Sequence, residues 1–90
     1  YEPVWAIGTG RHATVEQAGQ AHSHIRTTLR EKFGKGAAGS CRIVYGGSVK
    51  AGNVRELVAQ PEIDGALVGG ASLDPESFFE IVEGGRVTTV

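Results

Sequence analysis

A glutamate occupies the second position of the chain, where its neighbours suggest a role in proton transfer. Glu2 follows Tyr1 at the predicted end of a β-strand, and Pro3 begins a long loop directly after it. A carboxylate at the carboxyl end of a strand can reach into the mouth of a barrel, where loss of hydration makes it a better proton acceptor. A glutamate in such a position is also commonly a solvated surface charge. Glu2 alone therefore leaves both interpretations open.

The segment after Glu2 has the composition of a lid. It runs over residues 3–13, whereas an ordinary βα connection has about two to six residues. Proline fixes one backbone dihedral, an aromatic residue supplies an apolar anchor, and glycines leave a backbone N–H free to turn toward an anion. The sequence has a stiff hinge, a small apolar tip and a flexible end in Pro3-Val4-Trp5, Ala6-Ile7 and Gly8-Thr9-Gly10. This order favours a loop that closes over a site and excludes water.

Two glycine-rich turns predict a phosphate site. Gly46-Gly47-Ser48 follows an apolar run over residues 41–45, and Gly69-Gly70 follows a second run over residues 63–68. Glycines at strand ends let backbone N–H groups approach an anion closely. One such pair is a weak signal because tight turns also use it, but two pairs after neighbouring strands favour phosphate binding.

The order of the elements predicts an α/β fold. Each of three segments reads as a strand end, a glycine-bearing turn and a helix. The helices are predicted to start at Thr14, with a capping box to Gln17, at Asn53, with a box to Glu56, and at Asp74, before a proline. Repeated βα units predict a parallel sheet. The pattern fits the last three units of a (β/α)8 TIM barrel, and an open flavodoxin-like sheet would show the same alternation.

Composition limits the classes of partner. Nine Lys+Arg stand against ten Asp+Glu, so no nucleic-acid partner is implied. No apolar run approaches the roughly 18 residues of a membrane span, and no signal peptide is seen. The single cysteine, Cys41, agrees with a reducing, cytoplasmic compartment and is expected to be a buried thiol. An apolar helical stripe ends at Phe33, and Gly34 is predicted to stop that helix. His22, on the stripe, is expected to be a packed, hydrogen-bonded structural residue.

Three segments together resemble the triosephosphate isomerase family. Tyr1-Glu2-Pro3-Val4-Trp5-Ala6-Ile7-Gly8-Thr9-Gly10 is similar to the family's catalytic-glutamate and lid signature. Tyr45-Gly46-Gly47-Ser48-Val49 is similar to its seventh-strand phosphate turn, and residues 65–73 are similar to its eighth-strand turn. The three occur in family order and spacing and span nearly the whole chain.

The resemblance implies a role for each matching residue. Glu2 would be the base that moves a proton between two substrate carbons, Ile7 would shield it, and Leu67 would border the pocket. Tyr45 and the Ser48 hydroxyl would latch the closed lid. The lid itself would be formed by Pro3, Val4, Trp5, Ala6, Ile7, Thr9 and Gly10. The amides implied to bind the substrate phosphate are those of Gly8, Ser48, Gly69 and Gly70.

The resemblance also implies what the parent protein does. It would interconvert dihydroxyacetone phosphate and glyceraldehyde 3-phosphate through an enediol(ate), in glycolysis and gluconeogenesis, as a cytoplasmic homodimer without metal or organic cofactor. Residues 1–90 would be the C-terminal portion of a single barrel domain.

Some family features have no match in the chain. The family's lysine, asparagine and catalytic histidine belong to earlier units, and His12, His22 and His24 do not match that histidine. The chain alone is therefore expected to be inactive and to need the N-terminal part of the barrel as a partner. A non-catalytic half-barrel that acts as an assembly module is the alternative. Glu62 stands where the family commonly has aspartate, which puts its expected pairing with Arg26 in question.

Overall fold

The computed structural model describes residues 1–6 and 13–86. In these ranges the main elements are α1 (Val15–Phe33), α2 (Lys35–Ser40), β1 (Val44–Tyr45), α3 (Val54–Val58), β2 (Gly65–Ala66) and α4 (Pro75–Gly84). Short 3-10 helices occupy Val4–Ala6 and Gly70–Leu73. Within the described ranges, no helix is both long and apolar enough to cross a membrane.

Helix α1 begins and ends where the sequence predicts. The Thr14 side-chain oxygen accepts a hydrogen bond from Gln17 N at 3.1 Å, and Gln17 Oε1 accepts one from Thr14 N at 3.0 Å. These reciprocal bonds satisfy backbone donors that a helix start leaves free. Gly34 follows the last turn with φ of 92°, a conformation that glycine adopts without strain. Ala18 and His22 are fully buried on the inner face.

The two strands form a parallel pair, with Val44 opposite Gly65. The backbone of Tyr1 extends this pairing on the other edge of β1. Its N donates to Val44 O at 2.7 Å, and its carbonyl accepts from Gly46 N at 2.7 Å. In a parallel ladder, one residue hydrogen-bonds to two residues that lie two positions apart on the neighbouring strand, as Tyr1 does with Val44 and Gly46. Glu2 therefore leaves the sheet at the same edge as the turns that follow β1 and β2.

A small core lies between the sheet and helices α1, α3 and α4. Its buried members are Ala18, Tyr45, Val49, Val54, Leu57, Ile63 and Ile81. Large apolar side chains elsewhere remain uncovered, with exposed fractions of 87% for Leu73 and 68% for Leu67. Because burial of one such side chain contributes about 1.5–3 kcal/mol, this surface could gain substantial stability from a covering partner.

Arg26 connects three parts of the chain from a position that is only 7% exposed. Its Nη1 donates to the carbonyls of Ala38, at 2.6 Å, and Cys41, at 2.5 Å. Its Nη2 lies 2.5 Å from Asp64 Oδ2, and its Nε lies 3.3 Å from Glu62 Oε1. The pairing with Glu62 is therefore present, and Asp64 is a second and closer partner. The guanidinium holds α1 against the end of α2 and the residues before β2.

The strand bounds and one helix were predicted wrongly. Residues 41–45 and 63–68 were expected to be strands, but only Val44–Tyr45 and Gly65–Ala66 pair. A strand is defined by its partner, and the register between β1 and β2 extends over two residues. Helix α2, over Lys35–Ser40, was not predicted because its glycines disfavour helix formation.

The predicted capping box at Asn53 is also wrong, since its side chain makes no helix-capping bond. Asn53 Nδ2 donates to Ser48 O at 2.9 Å, and its Oδ1 accepts from Lys50 N at 2.7 Å. The side chain closes the preceding turn instead of capping α3. Two burial predictions fail as well, because Cys41 and Phe33 are both exposed.

Candidate functional site

A cavity of about 320 Å³ lies at the carboxyl edge of the sheet. Its lining residues are Tyr1, Glu2, Val44, Gly46, Leu67, Val68 and Gly69. The parallel hydrogen bonds of Tyr1 place Glu2 beside the turn after β1. A Cβ built on Gly46 would lie 3.9 Å from Glu2 Cβ and 3.8 Å from Leu67 Cδ2. Gly46 therefore lies between the carboxylate-bearing segment and the segment after β2.

Three of the predicted site residues share this cavity. Glu2, Leu67 and Gly69 come from separate parts of the chain and meet at the ends of parallel strands. Val44, Gly46 and Val68 were not singled out from the sequence. Their positions in the sequence could have identified them, since they lie at or beside the ends of the two apolar runs. Strand ends in a parallel sheet meet at one edge.

The second glycine turn leaves open space around its backbone. A Cβ on Gly69 or on Gly70 would meet nothing within 4 Å. The Gly69 carbonyl accepts hydrogen bonds from Ser72 N at 2.9 Å and Ser72 Oγ at 2.6 Å, which hold the turn into the 3-10 helix. An exposed glycine turn of this kind leaves room for an anion to approach its backbone N–H groups.

Ser48 lies in a different depression from Glu2. It lines a hollow of about 180 Å³ with Lys50, Gly52 and Asn53. Its carbonyl accepts the bond from Asn53 Nδ2, so the turn after β1 is tied to the start of α3. The described structure thus does not bring Ser48 into the cavity that Glu2 and Gly69 share.

The loop after Glu2 is described only at its two ends. Pro3 is fully buried, while Val4 is 75% exposed and Trp5 is 45% exposed within the 3-10 helix Val4–Ala6. Ile7 of the predicted tip and the predicted flexible end, Gly8, Thr9 and Gly10, lie outside the described residues. The roles expected for these lid residues stay predictions.

Tyr45 lies in β1 and belongs to the core cluster against which the far end of that loop packs. Its side chain is 1% exposed, and burial raises the pKa of the phenol, while a backbone hydrogen bond from Ala13 acts to lower it. Ala13 itself packs against the core cluster that contains Tyr45. The latching role expected for Tyr45 stays a prediction.

His22 is confirmed as a packed, hydrogen-bonded residue. Its ring centroid lies 5.8 Å from that of Tyr1 and 6.2 Å from that of Tyr45. Nδ1 lies 3.1 Å from the Glu62 carbonyl oxygen, and burial is the main cause that lowers the histidine pKa. A neutral imidazole with Nδ1 as donor fits this environment.

A larger cavity, about 440 Å³, lies between β2, α3 and α4. Its lining residues are Val54, Val58, Gly65, Ala66, Leu67, Val68, Phe78, Ile81, Val82 and Gly85. None of these side chains can transfer a proton, so the smaller cavity beside Glu2 is the better candidate. Over residues 1–6 and 13–86, no group of three His, Cys, Asp or Glu side chains could hold a metal ion.

Comparison with known proteins identifies the family. The family model described as triosephosphate isomerase matches residues 1–85. A triosephosphate isomerase of Solibacter usitatus is 65% identical over 82 residues, which are 91% of this chain and 33% of that protein. The triosephosphate isomerase of Syntrophotalea carbinolica is 64% identical over 92% of this chain and 33% of its own length. That of Lacticaseibacillus casei is 58% identical over 90% of this chain and 32% of its own length. The chain spans about a third of these curated relatives, and it belongs to the triosephosphate isomerase family.

Proposed function

We propose that this chain is the catalytic-base portion of an isomerase that interconverts dihydroxyacetone phosphate and glyceraldehyde 3-phosphate. One observation carries the proposal: Glu2, Leu67 and Gly69 line one cavity at the carboxyl ends of parallel strands. In a barrel of βα units, residues at that edge perform the chemistry. The family membership of residues 1–85 supplies the reaction.

In the proposed reaction, the Glu2 carboxylate accepts a proton from the carbon next to the substrate carbonyl. The resulting enediol(ate) then receives a proton on the neighbouring carbon, which exchanges ketose for aldose. Leu67 borders the reacting carbons and limits water, and Ile7 is proposed to shield the carboxylate. A base alone contributes about 10²–10⁴-fold, so groups from other parts of the protein must polarise the carbonyl. The chemistry requires no metal or organic cofactor.

The phosphate of the substrate is proposed to bind backbone amides. Gly69 and Gly70 fit this role because both are exposed and a Cβ at either position would meet nothing within 4 Å. Ser48 and Gly8 would join them when the loop closes, since Ser48 lies outside the Glu2 cavity. Tyr45 and the Ser48 hydroxyl would then hold the closed loop. The residues proposed to make the lid are Pro3, Val4, Trp5, Ala6, Ile7, Thr9 and Gly10.

Residues 1–90 are proposed to be the last three βα units of one TIM-barrel domain, incomplete without the other units. Exposed apolar side chains such as Leu73 favour this, because the remaining barrel units would cover them. The chain alone should be inactive, and the complete protein is proposed to act as a cytoplasmic homodimer in glycolysis and gluconeogenesis.

A matched pair of variants in the complete protein tests the proposal. Glu2→Gln keeps size and hydrogen-bonding reach but removes the base, so turnover should fall at least about 10²-fold. Affinity for inorganic phosphate should change far less, because other residues would bind it. Glu31→Gln, the same change at an exposed position of α1, is the control and should keep full turnover. Near-normal turnover of Glu2→Gln would contradict the proposal.

A further inference from the structure

The imidazole of His22 is buried on the inner face of α1, and one of its two nitrogens has no partner. Nδ1 lies 3.1 Å from the Glu62 carbonyl oxygen, to which it can donate. Nε2 meets no hydrogen-bond partner among residues 1–6 and 13–86, although the side chain is 0% exposed. A buried polar atom without a partner costs free energy. Hydrogen bonding therefore explains only the Nδ1 side of the ring, and packing must account for the rest.

The His22 ring packs against the side chain of Tyr1. The two centroids are 5.8 Å apart and the ring planes stand at 87°, which is the edge-to-face arrangement that aromatic pairs favour. Tyr1 is 39% exposed, so the buried imidazole supports it from the interior. The bond from Nδ1 to the Glu62 carbonyl fixes the orientation of the imidazole. The supporting ring therefore cannot turn away without losing its hydrogen bond.

Tyr1 is joined directly to the proposed base. Its N and its carbonyl each make a 2.7 Å hydrogen bond to β1 or the turn after it, and Glu2 is the next residue. The peptide group between the two residues is planar and stiff. A shift or rotation of Tyr1 would therefore move the backbone from which the Glu2 side chain starts.

We propose that His22 is a positioning residue for Glu2, whose ring holds Tyr1, and with it the backbone of Glu2, in place at the edge of the sheet. This inference rests on the proposed isomerase function, since Glu2 is the proposed base. The Glu62 carbonyl fixes the imidazole, the imidazole supports Tyr1, and Tyr1 carries Glu2. His22 itself does not line the cavity beside Glu2, so it acts without touching substrate.

A double-mutant cycle in the complete protein tests the inference. His22→Asn keeps an amide that can donate to the Glu62 carbonyl but removes the ring. Its kcat should fall at least about tenfold, because misplacement by about 1 Å can cost about 10²-fold. Tyr1→Leu removes the aromatic partner and should also lower kcat. In the Tyr1→Leu background, adding His22→Asn should change kcat by less than about two-fold, the scatter between independent sites. Equal losses in both backgrounds would overturn the inference, because His22 would then act without Tyr1.

A ring-preserving variant and a binding assay separate positioning from general support of the fold. His22→Phe restores a ring without the hydrogen bond to Glu62, and it should recover most of the kcat that His22→Asn loses. The Kd for inorganic phosphate should be unchanged in both variants, because other residues are proposed to bind it. A kcat of His22→Phe as low as that of His22→Asn, or a phosphate Kd that rises as kcat falls, would overturn the inference. His24→Asn, the same change at an exposed position of α1, is the control and should keep full kcat.

Two further outcomes are decided by other measurements. If His22→Asn fails to fold, Tyr1→Leu at its partly exposed position decides, and full kcat in that variant would overturn the inference. If the unmodified protein does not interconvert the trioses, the proposed function fails on its own. Crystal structures of the complete protein then test the positioning: in His22→Asn the Tyr1 ring should leave its place and the Glu2 Cα should shift by about 1 Å, the scale of a damaging misplacement. Unshifted Tyr1 and Glu2 would overturn the inference.

Discussion

Replacing Asp64 by alanine should destabilise the protein more than replacing Glu62, although both carboxylates pair with Arg26. Asp64 Oδ2 lies 2.5 Å from Arg26 Nη2, whereas Glu62 Oε1 lies 3.3 Å from Arg26 Nε. Asp64 Oδ2 also accepts a hydrogen bond from Ile43 N at 2.9 Å. Alanine at position 64 would therefore remove one oxygen that accepts from both a buried guanidinium and the N–H of a buried residue.

The difference can be estimated from these contacts. A hydrogen bond to a charged group contributes about 1.5–3 kcal/mol, and an unsatisfied buried N–H costs about 1–3 kcal/mol. The Asp64 side chain is 31% exposed, so water can replace part of what is lost, and we expect about 3 kcal/mol, near the low end of that sum. The Glu62 side chain is 34% exposed and makes the longer contact with Arg26, so its loss should cost about 1 kcal/mol.

Thermal unfolding of the complete protein measures this difference. In a barrel of about 250 residues, 1 kcal/mol shifts Tm by about 2–4 °C. Asp64→Ala should therefore lower Tm by about 6–12 °C and Glu62→Ala by about 2–4 °C. Glu31→Ala, at an exposed site on α1, controls for the loss of a carboxylate. Equal shifts for the two Arg26 partners, or the larger shift for Glu62→Ala, would refute the reasoning.

The same carboxylate gives a pH dependence of known sign. The N–H of Ile43 is the main cause that holds the pKa of Asp64 below its ordinary value of 3.8. A lowered pKa means that the folded state binds the proton less tightly than the unfolded state. The contribution of Asp64 is therefore fully present above pH 3.8 and is lost as the pH falls through the folded-state pKa. Asp64→Ala should lack this acid-side loss.

Two further predictions concern the phosphate turn and the buried histidine. Gly69→Val places a side chain in open space before the proposed amides, so the Kd for inorganic phosphate should rise at least about tenfold, or about 1.4 kcal/mol. Gly39→Val is the matched control. An unchanged Kd in Gly69→Val would exclude this turn as the phosphate-binding site. Burial lowers the pKa of His22 from 6.5, so the free energy of unfolding should fall as the pH drops below 6.5. Urea unfolding between about pH 7.5 and about pH 5.5 measures this dependence, and His22→Gln should remove it. A slope that persists in the variant would assign it to another group.

The starts of α1 and α4 were predictable from sequence because their signals are local. The Thr14 capping box and the Asp74 cap each depend on residues three apart, and both form as predicted, with Asp74 accepting from Ser77 N at 3.2 Å. Gly34 was predictable for the same reason, since only a glycine adopts its φ without strain.

Features that depend on distant partners were less predictable. Asn53 has the spacing of a capping box, but it bonds to Ser48 and Lys50 because the turn after β1 brings them closer. The exposure of Cys41 follows from the position of α2, which the sequence did not indicate. The meeting of Glu2 with Gly69 was predictable from the parallel arrangement, whereas the separate hollow of Ser48 depends on how one turn folds back.

Turnover of Glu2→Asp at saturating substrate, in the complete protein, tests the central claim most directly. The variant keeps the negative charge but withdraws it by one methylene, roughly 1 Å, and a misplacement of that size can cost about 10²-fold. If Glu2 is the proton acceptor, turnover should fall by about that factor while the Kd for inorganic phosphate stays close to that of the unmodified protein. A surface glutamate would tolerate the change, so near-normal turnover of Glu2→Asp would contradict the account.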